Sequence, residues 1–253
     1  MFLDVHAHFA EEGYDIPAER EKIRAAGVVR VILAGDTVAH SRMHRDLCAQ
    51  YPELYFTAGI HPSEAAGFSA GTPDELRALL QEGKCVAVGE IGLDYHWDTP
   101  DRRVQQSVFS AQLELAHALA LPVQIHSRDC CADMLAMLRE RRELLGHGFL
   151  MHCYSHGAAN LDDFLELGAR CSFGGVACFN NAKNVWESVR ACPADRILSE
   201  TDSPYLSPFR GEKNTPANIP VIVRRLAQLR AEEPEALAAQ IMENARVLFP
   251  KLG

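Results

Sequence analysis

Eight short apolar runs, separated by segments of helical periodicity, predict an α/β chain folded as a single (β/α)8 TIM-type barrel spanning residues 1–253. Two further observations support this. No glycine-rich phosphate turn follows the first run, which argues against the competing open, doubly wound sheet. Polar residues close most of the runs, where the site of such a barrel is built. No linker, repeat or low-complexity block divides the chain, so one domain suffices.

The first run is Phe2 to Val5. It is too short for a signal peptide and lacks both a basic start and a small-residue cleavage site. His6 and His8 follow. If the strand continues through them, they point to the same side and can chelate a metal; the alternative is a loop after the strand. The next runs are Val28 to Ala34, Leu54 to Ile60, Cys85 to Val88, Pro122 to Ile125, Phe149 to Met151, Ala169 to Val176 and Arg196 to Leu198. The clearest intervening helix is RRVQQSVFSAQLELAHALALP, in which Val104, Val108, Ala111, Leu115 and Leu119 share one face until Pro122 stops it. Two more helices follow the eighth run. One carries Ile222, Leu226 and Leu229; the other starts at Pro234 and carries Leu237 and Ile241.

Composition excludes several classes of function. With 47% hydrophobic and 23% charged residues, the 253-residue chain can bury a large core. No apolar run approaches the roughly 18 residues that cross a bilayer. The eight cysteines form no C-x-x-C pair and several lie in apolar runs, which reads as reduced, structural thiols. The expected setting is cytoplasmic, with no membrane and no obligate protein partner to be read. A formal net charge of −9 argues against broad, sequence-independent nucleic-acid binding, so an anionic substrate must be attracted locally.

The residues closing the runs are of one chemical kind. The first ends in His6 and His8, the third in GIHP with His61, and the fourth in VGEIGLD with Glu90. The fifth ends in IHSRD with His126, the sixth in MHCYS with His152, and the eighth in SETDSPY with Asp202. A lone strand-end histidine is an ordinary hydrogen-bonded core residue. Gathering so many imidazoles and carboxylates at one end of a barrel without a metal would be costly, so they read as a metal site. Mixed nitrogen and oxygen donors suit zinc, manganese, iron or nickel better than magnesium.

DVHAH, GIHP, GEIGLDYH, PVQIHSRD, HCYS and SETDSPYL, with RGEKNTP and ENARVLF farther on, resemble the TatD family of metal-dependent hydrolases, which includes metal-dependent deoxyribonucleases. The resemblance covers nearly the whole chain and implies a barrel of the amidohydrolase-like kind. It also implies that His6 and His8 bind one metal, His126 and His152 a second, that Glu90 bridges both, and that Asp202 completes the first. Two divalent ions (Zn, Mn, Mg, Ni or Fe), held about 3.5–4 Å apart, can share a hydroxide and clamp a phosphoryl oxygen. Asp202 could then orient that hydroxide and take its proton, with Glu90 as the other catalytic carboxylate.

Other residues carry weaker signals. His61 is a substrate or phosphate contact in the family reading, or a histidine bracing its neighbours. Arg128 pairs with phosphate or supports a nearby carboxylate, and Asp129 reads as a helix cap. In DYHWD, Trp97 can stack on a base, or with Tyr95 and His96 it simply packs the loop. Arg210 and Lys213 are local phosphate attractors or a solvated loop. His40 and His44, spaced i, i+4, read as surface residues.

Four departures from the family pattern stand at Val5, Ala10, His156 and Thr215, where a small or hydroxylated residue, an acidic or amide residue, a glycine and a glutamate are usual. All are expected close enough to the pocket to affect which substrate fits, and His156 could add a ligand or proton donor. The expected activity is metal-dependent phosphodiester hydrolysis on DNA ends or a small phosphoester. The resemblance implies a 3′ to 5′ exonuclease on single-stranded or frayed DNA. The alternatives are hydrolysis of a small ester, amide or lactone, and noncatalytic metal binding.

Overall fold

In the computed structural model, which describes residues 1–9 and 15–253, eight parallel strands run in sequence order around a barrel. They are β1 (Phe2–Ala7), β2 (Val28–Leu33), β3 (Leu54–Ala58), β4 (Cys85–Asp94), β5 (Val123–Arg128), β6 (Phe149–Met151), β7 (Ala169–Phe173) and β8 (Ile197–Ser199). The ring is joined between its first and last strands. The Ser199 hydroxyl donates to the Leu3 carbonyl at 3.1 Å, and Ala7 bridges to Ser203 just past β8.

The helices are α1 (Ile16–Ala25), α2 (Val38–Gln50), α3 (Thr72–Leu80), α4 (Arg102–Ala118), α5 (Cys131–Glu140), α6 (Leu161–Glu166), α7 (Lys183–Ala191), α8 (Ile219–Arg230) and α9 (Pro234–Leu248). Short polar side chains start several of them by accepting from otherwise orphaned amides. Asp15 takes the Ala18 N–H at 3.1 Å, Thr37 that of His40 at 3.1 Å and Asp101 that of Arg103 at 2.8 Å. Phe56, Phe109, Phe149, Phe164, Phe173 and Phe249 are fully buried. The expected inward residues of the last two helices, Ile222, Leu226, Leu229, Leu237 and Ile241, are buried too. None of the helices among the described residues is long and apolar enough to cross a membrane.

Four expectations need correcting. The fourth strand does not stop at Val88 but runs on through Glu90 to Asp94. Val104 is exposed, and although Val108 and Leu115 are buried as expected, the inward face of α4 also carries Gln105 and Gln112. Gln105 exchanges hydrogen bonds with the Asp94 backbone at 2.8 and 2.9 Å, and Gln112 does the same at Ile60 at 2.7 and 3.1 Å. Side-chain amides thus satisfy buried backbone at the ends of β3 and β4, which explains their burial. Asp129 caps nothing: Cys130 occupies the N-cap of α5, while Asp129 adopts a left-handed backbone and accepts from His96 Nδ1 at 3.1 Å. His44 is not at the surface but wholly buried.

One glycine is required where β4 meets β5. Gly92 has φ +147°, and a Cβ there would lie 1.9 Å from the His126 carbonyl oxygen. The two strands that carry Glu90 and His126 are therefore locked in close approach.

Candidate metal centre

Alternation along β1 sends Asp4 and His6 to one face and Leu3 and Val5 to the other. The same period brings Glu90, Gln124 and His126 to the upper interior of the barrel, where Glu90 is the hub. Its Oε1 lies 2.7 Å from His126 Nδ1, 2.9 Å from His152 Nε2 and 3.7 Å from His61 Nε2. Its Oε2 lies 3.3 Å from His6 Nε2 and 3.7 Å from His8 Nε2. Asp202 Oδ1 closes the His6–His8 side at 3.7 and 3.3 Å. All six expected ligands therefore converge, with one carboxylate oxygen turned to each imidazole pair.

The groups behind the rings decide which way their lone pairs point. The Val5 carbonyl can only accept, so the Gln124 amide donates Nε2–H to it at 2.7 Å and turns Oε1 to His6 Nδ1 at 3.1 Å. His6 is then protonated on Nδ1, and its Nε2 lone pair faces Glu90. His126 lies between two acceptors, with Asp94 Oδ2 3.2 Å from Nε2 and Glu90 Oε1 2.7 Å from Nδ1, so the ring donates to both; Asp94 holds the Nε2 proton, and a metal would take the place of the inward Nδ1 proton. Behind His152, Glu200 Oε1 sits 3.4 Å from Nδ1 without hydrogen-bond geometry, while its Oε2 accepts from Ser172. The His6 and His152 rings stack at 3.9 Å.

This donor set fits a metal. The inward nitrogens of His6 and His8 are 3.2 Å apart, and those of His126 and His152 are 3.3 Å apart. Two metal–nitrogen bonds of about 2.0–2.1 Å at the tetrahedral angle span about 3.3 Å. The groups His6–His8–Glu90, His6–His152–Asp202 and His61–Glu90–His126 each bring their donor atoms within 4.8 Å of one another. Burial alone would raise the Glu90 pKa, but the surrounding imidazoles and the His126 hydrogen bond hold it well below the carboxylate range. Burial opposes a charge on His8 too, yet the Asp202 hydrogen bond and charge push its pKa up to about 9. The carboxylates thus demand cations, and protons fill that role when no metal is bound.

His61 is built differently. Its Nδ1 accepts from the Ser63 N–H at 3.1 Å, so its proton is on Nε2, the atom facing Glu90 and the cavity. Burial pushes its pKa down to about 4, so the ring is neutral and presents a donor.

A cavity of about 750 Å³ opens over the cluster, and His61, Trp97, Arg128, Ser127, Asp36, His40 and Tyr205 line it with the ligands. Trp97 is 61% exposed at its rim. Arg210 and Lys213 are exposed on the loop after β8 and do not form part of this wall. Of the four departures, Val5 is buried behind β1, and Ala10 lies outside the described residues. Thr215 faces away from the cavity: its hydroxyl bonds the Glu19 carboxylate of α1 and caps the turn at Pro216–Asn218. His156 adds no ligand to the cluster and holds the Ser127 hydroxyl at 2.8 Å.

Gln124, Asp94 and Glu200 are absent from the sequence reading. Their signal was the strand period: Gln124 lies two residues before His126, Glu200 two before Asp202, and Asp94 four after Glu90.

Comparison with known proteins gives a consistent picture. The profile of the TatD related DNase family matches residues 3–250. A metal-dependent hydrolase of Bacillus subtilis, YabD, is 35% identical over 254 residues, covering 98% of this chain and 99% of its own. A Klebsiella pneumoniae protein named 3′-5′ ssDNA/RNA exonuclease TatD is 34% identical over 235 residues, covering 90% and 89%. Among solved structures, the TatD homologue YJJV of Escherichia coli superposes with a TM-score of 0.93 at 29% identity, covering 98% of each chain.

Proposed function

The chain belongs to the TatD related DNase family of metal-dependent hydrolases, and from that premise we propose that it is a binuclear metal phosphodiesterase that removes nucleotides from single-stranded or frayed DNA ends, 3′ to 5′. The observation that carries this reading is Glu90, whose two oxygens divide between two imidazole pairs. His6 and His8 with Asp202 would hold one ion, His126 and His152 the other, and Glu90 both. Residues 1–253 act as one barrel domain, in a cytoplasm that keeps all eight cysteines as free thiols.

When bound, divalent ions lower the pKa of water and neutralise charge on the phosphoryl group. The chain's own residues do the rest. Asp202 orients the attacking water and takes its proton. The His61 Nε2–H and Arg128 bind phosphoryl oxygens, Trp97 stacks on a base, and Arg210 and Lys213 attract phosphates farther along the strand. The acidic chain neutralises few phosphates in each binding event, so salt dependence is shallow.

The test compares circular and linearised single-stranded DNA with added manganese, alongside a panel of small esters, amides and lactones. Digestion of the linear form with resistance of the circle supports end recognition. Equal cleavage of both with a steep salt slope rejects it, and turnover confined to the small-molecule panel replaces the nuclease reading.

A further inference from the structure

The catalytic proposal takes a proton from the attacking water but returns none to the sugar oxygen that departs. Phosphorus gains a bond to the water oxygen and loses its bond to a 3′-oxygen, which leaves as a poor alkoxide unless it is protonated. Few groups on the cavity wall can lend that proton near neutral pH. The ligand imidazoles are needed in their neutral, metal-binding form. His61 accepts the Ser63 N–H at Nδ1 and so carries one proton only, on Nε2. Hydroxyls, a buried thiol and the Arg128 guanidinium hold their protons too tightly.

His40 differs from all of these. It stands in the first turn of α2 and lines the same cavity as His8 and Asp202. Its Nδ1 lies 2.6 Å from Asp36 Oδ1, and because a carboxylate only accepts, Nδ1–H donates. Asp36 lines the cavity as well, and its carbonyl accepts from the His61 N–H at 2.9 Å. It follows β2, the neighbour of β1 in the ring. Burial opposes a charge on His8, and the Asp36 carboxylate is among the groups that raise the His8 pKa against it, which puts the dyad beside the His6–His8 pair. The His40 side chain is 41% exposed, and its Nε2 has no hydrogen-bond or ionic partner among the described residues. Asp36 thus fixes the ring and its tautomer, and Nε2 is the atom left to gain and lose a proton.

We propose that His40, held by Asp36, is the general acid that protonates the departing 3′-oxygen. This rests on the nuclease reading above. As the P–O3′ bond breaks, its electron pair moves onto the oxygen, which takes the proton from His40 Nε2. Asp202 keeps the proton of the water, and both side chains return to their starting state by exchange with solvent. Asp36 is a positioning residue that never touches substrate.

The experiment measures single-turnover cleavage, with added manganese, of two single-stranded oligonucleotides that are identical except that sulfur replaces the scissile 3′-oxygen in one. A thiolate departs without a proton. His40→Ala should lose about 100-fold on the oxygen form and less than about threefold on the sulfur form. Asp36→Asn should show the same split at about tenfold, the scale of one hydrogen bond. Free imidazole should restore part of the rate of His40→Ala on the oxygen form, and the bound metal of that variant, read by elemental analysis, should match the wild type. Equal loss on both forms, or an intact rate on the oxygen form, would overturn the assignment and leave the nuclease reading standing. If the wild-type protein cuts only the oxygen form, the imidazole arm decides, and absence of rescue overturns the assignment. If it cuts neither, the nuclease reading fails and the assignment falls with it.

Discussion

Two pairs of histidines, close in sequence, end in opposite situations. His6 and His8 on β1 converge, with inward nitrogens 3.2 Å apart beside Glu90 and Asp202. His40 and His44 on α2 also share a face but diverge in chemistry. His40 is partly exposed and pairs with Asp36 at 2.6 Å, whereas His44 is sealed in the core with neither ring nitrogen hydrogen-bonded. Spacing brings two imidazoles together in both cases. What separates a candidate centre from a buried liability is the supply of acceptors: Gln124 stands behind His6 and the carboxylates in front of it, while His44 has nothing on either side.

The strongest way to break this contrast is to remove the carboxylates. Glu90→Gln should lose bound metal at both positions, read by elemental analysis after dialysis. Asp202→Asn should retain most of the metal and lose about 10²–10⁴ in kcat, because an amide cannot take the proton. Near wild-type turnover by Asp202→Asn at saturating metal would make that side chain only a ligand.

A smaller effect should follow from removing the groups behind the rings. Gln124→Leu frees the His6 tautomer and Asp94→Asn weakens the hold on His126, so each should lower metal affinity about 10–100-fold in chelator competition. Unchanged affinity would mean that packing alone orients the rings.

For the other pair the sign reverses. Burial pushes the His44 pKa down to about 3, against an ordinary value of 6.5. Between those values the unfolded chain binds a proton that the folded chain refuses, so stability is full above about pH 6.5 and falls as pH drops toward 3. At pH 5 the loss is about 2 kcal/mol. His44→Leu should raise stability at neutral pH by about 1–3 kcal/mol by removing buried, unsatisfied nitrogens, and should flatten the acid limb. Urea melts at pH 7 and pH 5 measure both, and a destabilised leucine variant would show that the imidazole shape matters more than its lost hydrogen bonds.

The smallest effect is expected at His40. Its replacement by alanine should change stability by less than about 1 kcal/mol, the scale of an exposed ion pair, and leave metal content unchanged. Loss of metal in that variant would place α2 within the centre.

The contrast also explains what the sequence made legible. Strand-end placement exposed the six converging residues because histidines and carboxylates are conspicuous where apolar runs stop. It did not expose Gln124, a neutral residue inside an apolar run, or Asp94, because the fourth run seemed to end at Val88 before the glycines that let β4 continue. Periodicity found Val108 and Leu115 of α4 but misplaced Val104 and passed over Gln105 and Gln112, because it assumes that an inward face is apolar, whereas these amides face inward to satisfy backbone. His44 failed for the mirror-image reason: a polar residue on a helix was assumed to seek water, and the core overrode that preference.

The junction of β1 with the segment after β8 has a consequence in time. The His8 N–H donates to the Ser203 carbonyl at 2.7 Å, the Asp202 N–H to the His6 carbonyl at 2.9 Å, and Asp4 receives both the backbone and hydroxyl hydrogens of Thr201. The seam therefore stitches β1 to residues about 200 positions later, which at roughly 5–20 residues per second emerge from a ribosome on the order of 10–40 s after it. Through that interval the nascent chain carries half a centre with no Asp202 to complete it. The candidate centre is therefore complete only once the last strand has closed the ring.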